Sequence, residues 1–250
     1  MGSDLARYFE KEHEVVVIDK DTYADHKGRS YDVLINANGN SRRFFANEHP
    51  LEDFRASTLS VFESIIDFPS RRYVYISSSD VYEDHASPVS TREDQVINPQ
   101  HLSPYGFHKY LSEQLVKKYA KEFLIVRSSA MLGAKLQKGP IFDVLHGKPL
   151  FITRLSRIQF ILTDEVARVI DLFMKNNRWG ETVNVGGRGA VSFEHIENII
   201  PGAPAISAEA ETQEYEMNVE KLSALYRLKT SEEYLKDFIA MQANGSRAGQ

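Results

Sequence analysis

The chain has 250 residues, 42% of them hydrophobic, enough apolar surface for one large domain or a domain with a small lobe. Its 30 Lys and Arg against 35 Asp and Glu leave a formal charge of -5, and no basic cluster is dense enough for a nucleic-acid surface, so polyanion binding is disfavoured. The absence of cysteine removes disulfides and thiolate metal sites, and no apolar run approaches the ~20 residues of a membrane helix. With no basic-then-apolar leader, the expectation is a cytoplasmic protein without membrane or nucleic-acid partners.

In chain order, Leu5, Tyr8 and Phe9 recur at helical spacing, which predicts a helix over Ser3 to Glu12. The β-branched run Glu14-Val-Val-Val-Ile18, ending at Asp19, predicts a strand. A second strand is predicted at Asp32-Val-Leu-Ile-Asn36, followed by the small polar loop Ala37-Asn-Gly-Asn40, then a helix from Leu51 to Ile66. Tyr73-Val-Tyr-Ile-Ser77 reads as a strand running into Ser78, Ser79 and Asp80, with a helix from about Pro104 to Lys121 and a strand from Phe123 to Arg127 beyond it. Such alternation predicts an α/β fold with a mostly parallel sheet and helices on both faces. In such sheets ligands bind beyond the carboxyl ends of the strands, where Asp19, the Ala37 to Gly39 loop and Ser77 to Asp80 would lie.

After Gly133 the pattern loosens. A short helix is predicted at Ile141 to His146, a strand at Gln159-Phe-Ile-Leu162, a helix at Asp164 to Lys175 and a late strand at Val183-Asn-Val-Gly186. Short helical stretches follow around Val219 to Tyr226 and Glu232 to Ile239. The division is a core over 1–135, sheet completion and a small substrate lobe over 136–241, and a polar, disordered tail over 242–250.

Tyr105-Gly-Phe-His-Lys109 opens the predicted helix, so Tyr105 and Lys109 share one face. A phenol titrates near ~10 and is a poor base at neutral pH, but a nearby ammonium favours the phenolate. Ser78, at the neighbouring strand end, could then hydrogen-bond a substrate oxygen whose proton Tyr105 exchanges. Alone, Tyr-x-x-x-Lys is a common accident of amphipathic helices. His85, His101, His108, His146 and His195 show no metal-ligand spacing and read as surface or packing residues.

In context, with Tyr75-Ile-Ser-Ser-Ser-Asp-Val-Tyr82 preceding Tyr105-Gly-Phe-His-Lys109, the chain resembles the extended short-chain dehydrogenase/reductases, the NAD-dependent epimerase/dehydratase group. Val15-Val-Val-Ile-Asp19, Asp32-Val-Leu-Ile-Asn-Ala-Asn-Gly39, Phe160-Ile-Leu-Thr-Asp-Glu-Val-Ala167 and Val183-Asn-Val-Gly-Gly187 resemble further segments of that family in the same order, over residues 2 to about 200. The resemblance implies a Rossmann-like doubly wound sheet, a nucleotide-sugar substrate, NAD as cofactor and a homodimer packed through the Tyr105 helix at Leu111, Leu115 and Tyr119. It implies Ser78, Tyr105 and Lys109 as catalytic residues, and Gly2, Asp19, Ala37, Asn38 and Gly39 at the cofactor. Asp19 would accept from the adenosine ribose and repel a 2′-phosphate, its competing role being that of a strand-end turn residue. Ser79, Asp80, Arg154 and Arg157 are implied at the substrate, where guanidinium groups suit a diphosphate; solvated surface is the alternative for either arginine.

Two departures follow. The family opens with a buried strand and a Gly-x-x-Gly-x-x-Gly turn, of which only Gly2 can match, as the third glycine, so about fifteen residues of strand and loop are unmatched. Either Met1 is an internal methionine, which its apolar position in the family suits, or the protein works without a conventionally bound dinucleotide. Arg127-Ser-Ser-Ala130 carries alanine where the family has asparagine, and Ala130 cannot make the amide hydrogen bonds to a nucleotide sugar. Three functions therefore stay open: a redox nucleotide-sugar enzyme, a non-redox isomerase or mutase with a vestigial NAD site, and a non-catalytic nucleotide-binding or interaction subunit.

Overall fold

The computed structural model describes residues 1–39, 43–200 and 204–247, with side chains as far as Asn244. The chain opens with α1 (Gly2–Phe9), where a helix is expected. The valine run after it forms no strand. Val15 packs against the core while Val16 and Val17 stand 42% and 58% exposed. β-Propensity makes a strand only where a partner offers a ladder, and here the run stays extended and unpaired.

A short α2 (Tyr23–His26) leads into β1 (Tyr31–Asn36), and α3 (Arg43–Glu48) follows the loop after it. The helix expected over Leu51 to Ile66 is built in three pieces: α4 (Pro50–Phe54), a π-helical turn Arg55–Leu59 and α5 (Ser60–Asp67). A π turn offsets the carbonyl ladder, and here the backbone around it is used by another element: the Ser57 carbonyl accepts from Ser112 Oγ at 3.3 Å. Then come β2 (Ser70–Ser78), α6 (Pro104–Tyr119) and β3 (Glu122–Ser128). Helix α6 starts where its sequence provides a cap: Ser103 Oγ accepts from Gly106 N at 3.2 Å and Pro104 stands in the first turn.

The second half contributes β4 (Ala130–Leu132), α7 (Pro140–Leu145), β5 (Leu150–Ile152), β6 (Arg157–Ile158), β7 (Phe160–Leu162), α8 (Thr163–Lys175) and β8 (Glu181–Val185). It ends with β9 (Val191–Ser192), α9 (Phe193–Ile199), β10 (Ile206–Glu211), β11 (Glu214–Tyr215), α10 (Glu220–Ser223) and α11 (Ser231–Arg247). Helix α11 carries regular backbone through Arg247, well into the stretch expected as a tail. Its amphipathic start, with Tyr234, Leu235 and Phe238 buried, anchors one continuous helix.

The main sheet runs β1-β2-β3-β8, parallel throughout, with Asn36 opposite Tyr75 and Ser78 opposite Ser128. It is the expected α/β fold. Alternation along β2 sends Val74 and Ile76 to one face, against α1 and α8, and Tyr73 and Tyr75 to the other, with Val61 and Val116. A separate cluster with Leu132, Ile141, Leu150, Ile158, Phe193 and Phe238 forms the core of the C-terminal lobe. Its short sheets, β10-β5, β11-β6-β9 and β4-β7, include two- and three-residue strands below the length at which period-2 patterning shows in sequence. Helix α6 is tied to the sheet by Arg127, wholly buried, which makes a bidentate pair with Glu113 at 3.0 and 2.7 Å and donates to Tyr82 Oη at 2.9 Å. No helix among the described residues is long and apolar enough to cross a membrane.

Candidate functional site

Because the strands are parallel, the ends of β1, β2 and β3 open to the same edge of the sheet, and the first turn of α6 packs against the end of β2. The approach is close. A β-carbon on Gly106 would collide with the Asp80 carbonyl oxygen, so glycine there is what lets Tyr105 reach the Ser78 turn. Tyr105 is 6% exposed and neighbours Ser78. Lys109, also 6% exposed, donates from Nζ to the Ile76 carbonyl at 3.3 Å. Gly39, at φ +125, lies directly on the lysine: a β-carbon there would stand 3.4 Å from Lys109 Nζ and 3.5 Å from Ser57 Oγ. So Ser78, Tyr105, Lys109 and Gly39 come together.

The electrostatics differ from the expectation at Tyr105. Burial raises its phenol above the ordinary value, with the Asp80 charge adding to the rise, rather than Lys109 lowering it. Burial therefore favours the neutral phenol. Burial likewise disfavours the ammonium of Lys109, which is pushed down to about 8 against the pull of Asp53, Glu113 and Asp80. Ser78 Oγ donates to Asp80 Oδ2 at 2.7 Å and accepts from Asp80 N at 3.3 Å.

Asp80 anchors a group of side chains not singled out in the sequence. Arg43, at the start of α3, places Nε 2.7 Å from Asp80 Oδ1, and its guanidinium lies 4.2 Å over the ring of Tyr215. Tyr215 Oη donates to the same Asp80 oxygen at 3.3 Å, and His85 stacks on the Tyr215 ring at 4.0 Å. Beside α6, Asp53 Oδ2 stands 2.6 Å from His108 Nδ1. A carboxylate oxygen accepts, so Nδ1 carries the proton. Arg43 and Tyr215 sit in short elements with no periodic signature. Asp53 did leave a trace: it shares a four-residue spacing with Ser57 and Val61, which marks an acid on a helix's buried face.

Other expected site residues make their contacts elsewhere. Asp19 Oδ1 accepts from Asp21 N at 2.9 Å and Thr22 N at 3.1 Å, an exposed Asx turn that matches its competing role and holds its carboxyl below the usual range. Gly2 opens α1 with open space where a β-carbon would stand, and Asn38 N donates to Asn36 Oδ1 at 2.9 Å. Ala37 is part-buried against the core, and Ser79 is buried in the turn after β2. Arg154 pairs with Glu197 at 2.9 Å and Arg157 with Glu216 at 3.3 Å, both half exposed. Ala130 is exposed.

Residues 1–186 match the NAD dependent epimerase/dehydratase family. The chain belongs to that family. Among solved structures, it is similar to a UDP-galactose 4-epimerase at 20% identity, over 98% of this chain and 95% of that one, with a TM-score of 0.78. It is similar to MoeE5, solved with UDP-glucose and NAD, at 16% identity over 97% and 95%, TM-score 0.76. A dTDP-4-dehydrorhamnose reductase from Bacillus anthracis, solved with NADP, matches at 15% identity over 96% and 94%, also with a TM-score of 0.76. At such identities the likeness is one of fold. For this epimerase/dehydratase family member, the geometry adds a buried phenol, a hydroxyl and an amine meeting beneath a glycine loop.

Proposed function

We propose that the chain modifies a nucleotide-linked sugar by redox chemistry at a carbinol carbon, with Tyr105 exchanging the proton of the carbinol oxygen. The observation that carries this reading is the convergence of Ser78, Tyr105 and Lys109 at the carboxyl edge of the sheet, with Gly39 laid on the lysine. Ser78, fixed by Asp80 beside Tyr105, is assigned to orient the substrate hydroxyl. Tyr105, whose burial favours the neutral phenol, gives its proton to a carbonyl oxygen in the reducing direction, and the phenolate so formed takes the carbinol proton back when the step runs the other way.

The residues fit a dinucleotide on one observation: Gly39 has no side chain to stand between a ligand and Lys109. Ala37, Asn38, Gly39 and Lys109 would hold NAD, with Asp19 at the adenosine ribose and Gly2 at the pyrophosphate. NAD would supply the hydride acceptor. Asp80 and Ser79 are the substrate's nearest polar neighbours in this reading, and the diphosphate is assigned to Arg154 and Arg157, which would have to leave Glu197 and Glu216. The solved structure of MoeE5 with UDP-glucose and NAD supports the substrate class and the cofactor.

The test is calorimetry of NAD and UDP against the purified chain, with turnover of UDP- and dTDP-sugars measured alongside. Binding of both ligands, and a turnover that Tyr105→Phe lowers by about 10²-fold or more, is expected. UDP binding without NAD would overturn the redox step and favour the non-redox isomerase.

A further inference from the structure

Lys109 sits where a charge is costly. Its Nζ has a carbonyl at 3.3 Å and the face of the Tyr75 ring, centred 5.2 Å away, and a buried ammonium so placed loses its proton unless anions face it. Three carboxylates do so: Asp53 from α4, Glu113 from α6 itself and Asp80 from the turn after β2. Each carboxylate is itself engaged: Glu113 by Arg127, Asp80 by Arg43, and Asp53 by His108 and Ser57 among others.

Asp53 is held with care. It is wholly buried, with Oδ2 2.6 Å from Nδ1 of His108, the residue immediately before the lysine, and with Oδ1 accepting from Ser57 Oγ at 3.3 Å. Ser57 Oγ, which donates to Asp53, and Lys109 Nζ both lie against Gly39, so Ser57 links the acid to the loop that the amine faces. The backbone is locked as well: Thr58 Oγ1 donates to the His108 carbonyl at 3.1 Å and Ser112 Oγ to the same carbonyl at 2.8 Å. A buried acid–imidazole pair is poor value as a device for stability alone.

We infer that Asp53, clamped by His108 and Ser57, is a positioning residue that holds Lys109 as an ammonium beneath the Gly39 loop. Its bearing on the reaction rests on the Tyr105 and Lys109 chemistry proposed above. Its effect on the lysine does not.

Carbon-13 labelling of lysine Cε reads the charge of Lys109 in the whole chain without substrate or cofactor, with Lys109→Met identifying the signal. In the unmodified chain Lys109 is expected to be protonated at pH 7. In Asp53→Asn its midpoint is expected to fall by about 1 pH unit, because an opposing charge has been removed, and Asp53→Glu is expected to restore most of it. An unchanged midpoint in folded Asp53→Asn would show a merely structural acid and overturn the inference. So would a lysine already neutral at pH 7 in the unmodified chain, a result that needs no variant to fold. Absence of turnover would instead count against the catalytic reading and leave this one standing.

Discussion

Lys109 shows how a buried amine trades against stability. Its folded value of about 8 lies below the ordinary 10.5, so between those values the unfolded chain holds a proton on this lysine that the folded chain has lost. Stability then rises with pH across that window, and below it both states are protonated and the dependence vanishes. Chemical denaturation of the unmodified chain and of Lys109→Met over pH 7 to 10 is expected to show the difference between them moving in favour of the unmodified chain above pH 8. The slope should approach about 1.4 kcal/mol per pH unit. A difference independent of pH would mean that the lysine is not desolvated. Tyr105 shows the limit of residue-level reading: Tyr-x-x-x-Lys spacing suggested an amine lowering a phenol, yet burial dominates and raises it. Burial is not a property of spacing.

Among the elements, α6 decides most of the candidate site, because it carries Tyr105, His108 and Lys109, and two of its contacts with the sheet and the turn after β2 fix its place. One is the Glu113–Arg127 pair; the other is the first turn against Asp80, which only a residue without a β-carbon allows. Gly106→Ala is therefore expected to destabilise the chain by about 1–3 kcal/mol, in spite of alanine's better helix propensity, since overpacking against backbone cannot be relieved by a rotamer change. Unchanged denaturation midpoints would show that α6 can slide away from the turn. The ends of α6 were readable, since Ser103, Pro104 and the lysines of the last turn are local signals. The π turn at Arg55–Leu59 and the unpaired valine run were not, because both depend on what the neighbouring elements offer.

At the scale of the whole molecule, α5 and α6 leave an apolar stripe in the open. Leu59, closing the π turn, and Ile66 on α5 are exposed, Phe62 lies between them at helical spacing, and Tyr119, half exposed at the end of α6, packs its ring 4.9 Å from Phe62. With Leu111 and Leu115 part-buried on α6, this face is our proposed dimer surface. Light scattering is expected to give twice the chain mass, and Ile66→Glu to return it to a monomer; a monomeric parent would refute the interface. The sequence by itself determined the parallel α/β architecture and, through its resemblance to a family, named Ser78, Tyr105 and Lys109 as candidates, because strand periodicity, caps and short motifs are local and survive without neighbours. Only the tertiary structure decided that Arg43, Asp53 and Tyr215 belong with them, that Asp19 caps its own turn, and that burial favours the neutral phenol. Those outcomes follow from burial and from contacts between elements far apart in the chain, and a one-dimensional pattern carries neither.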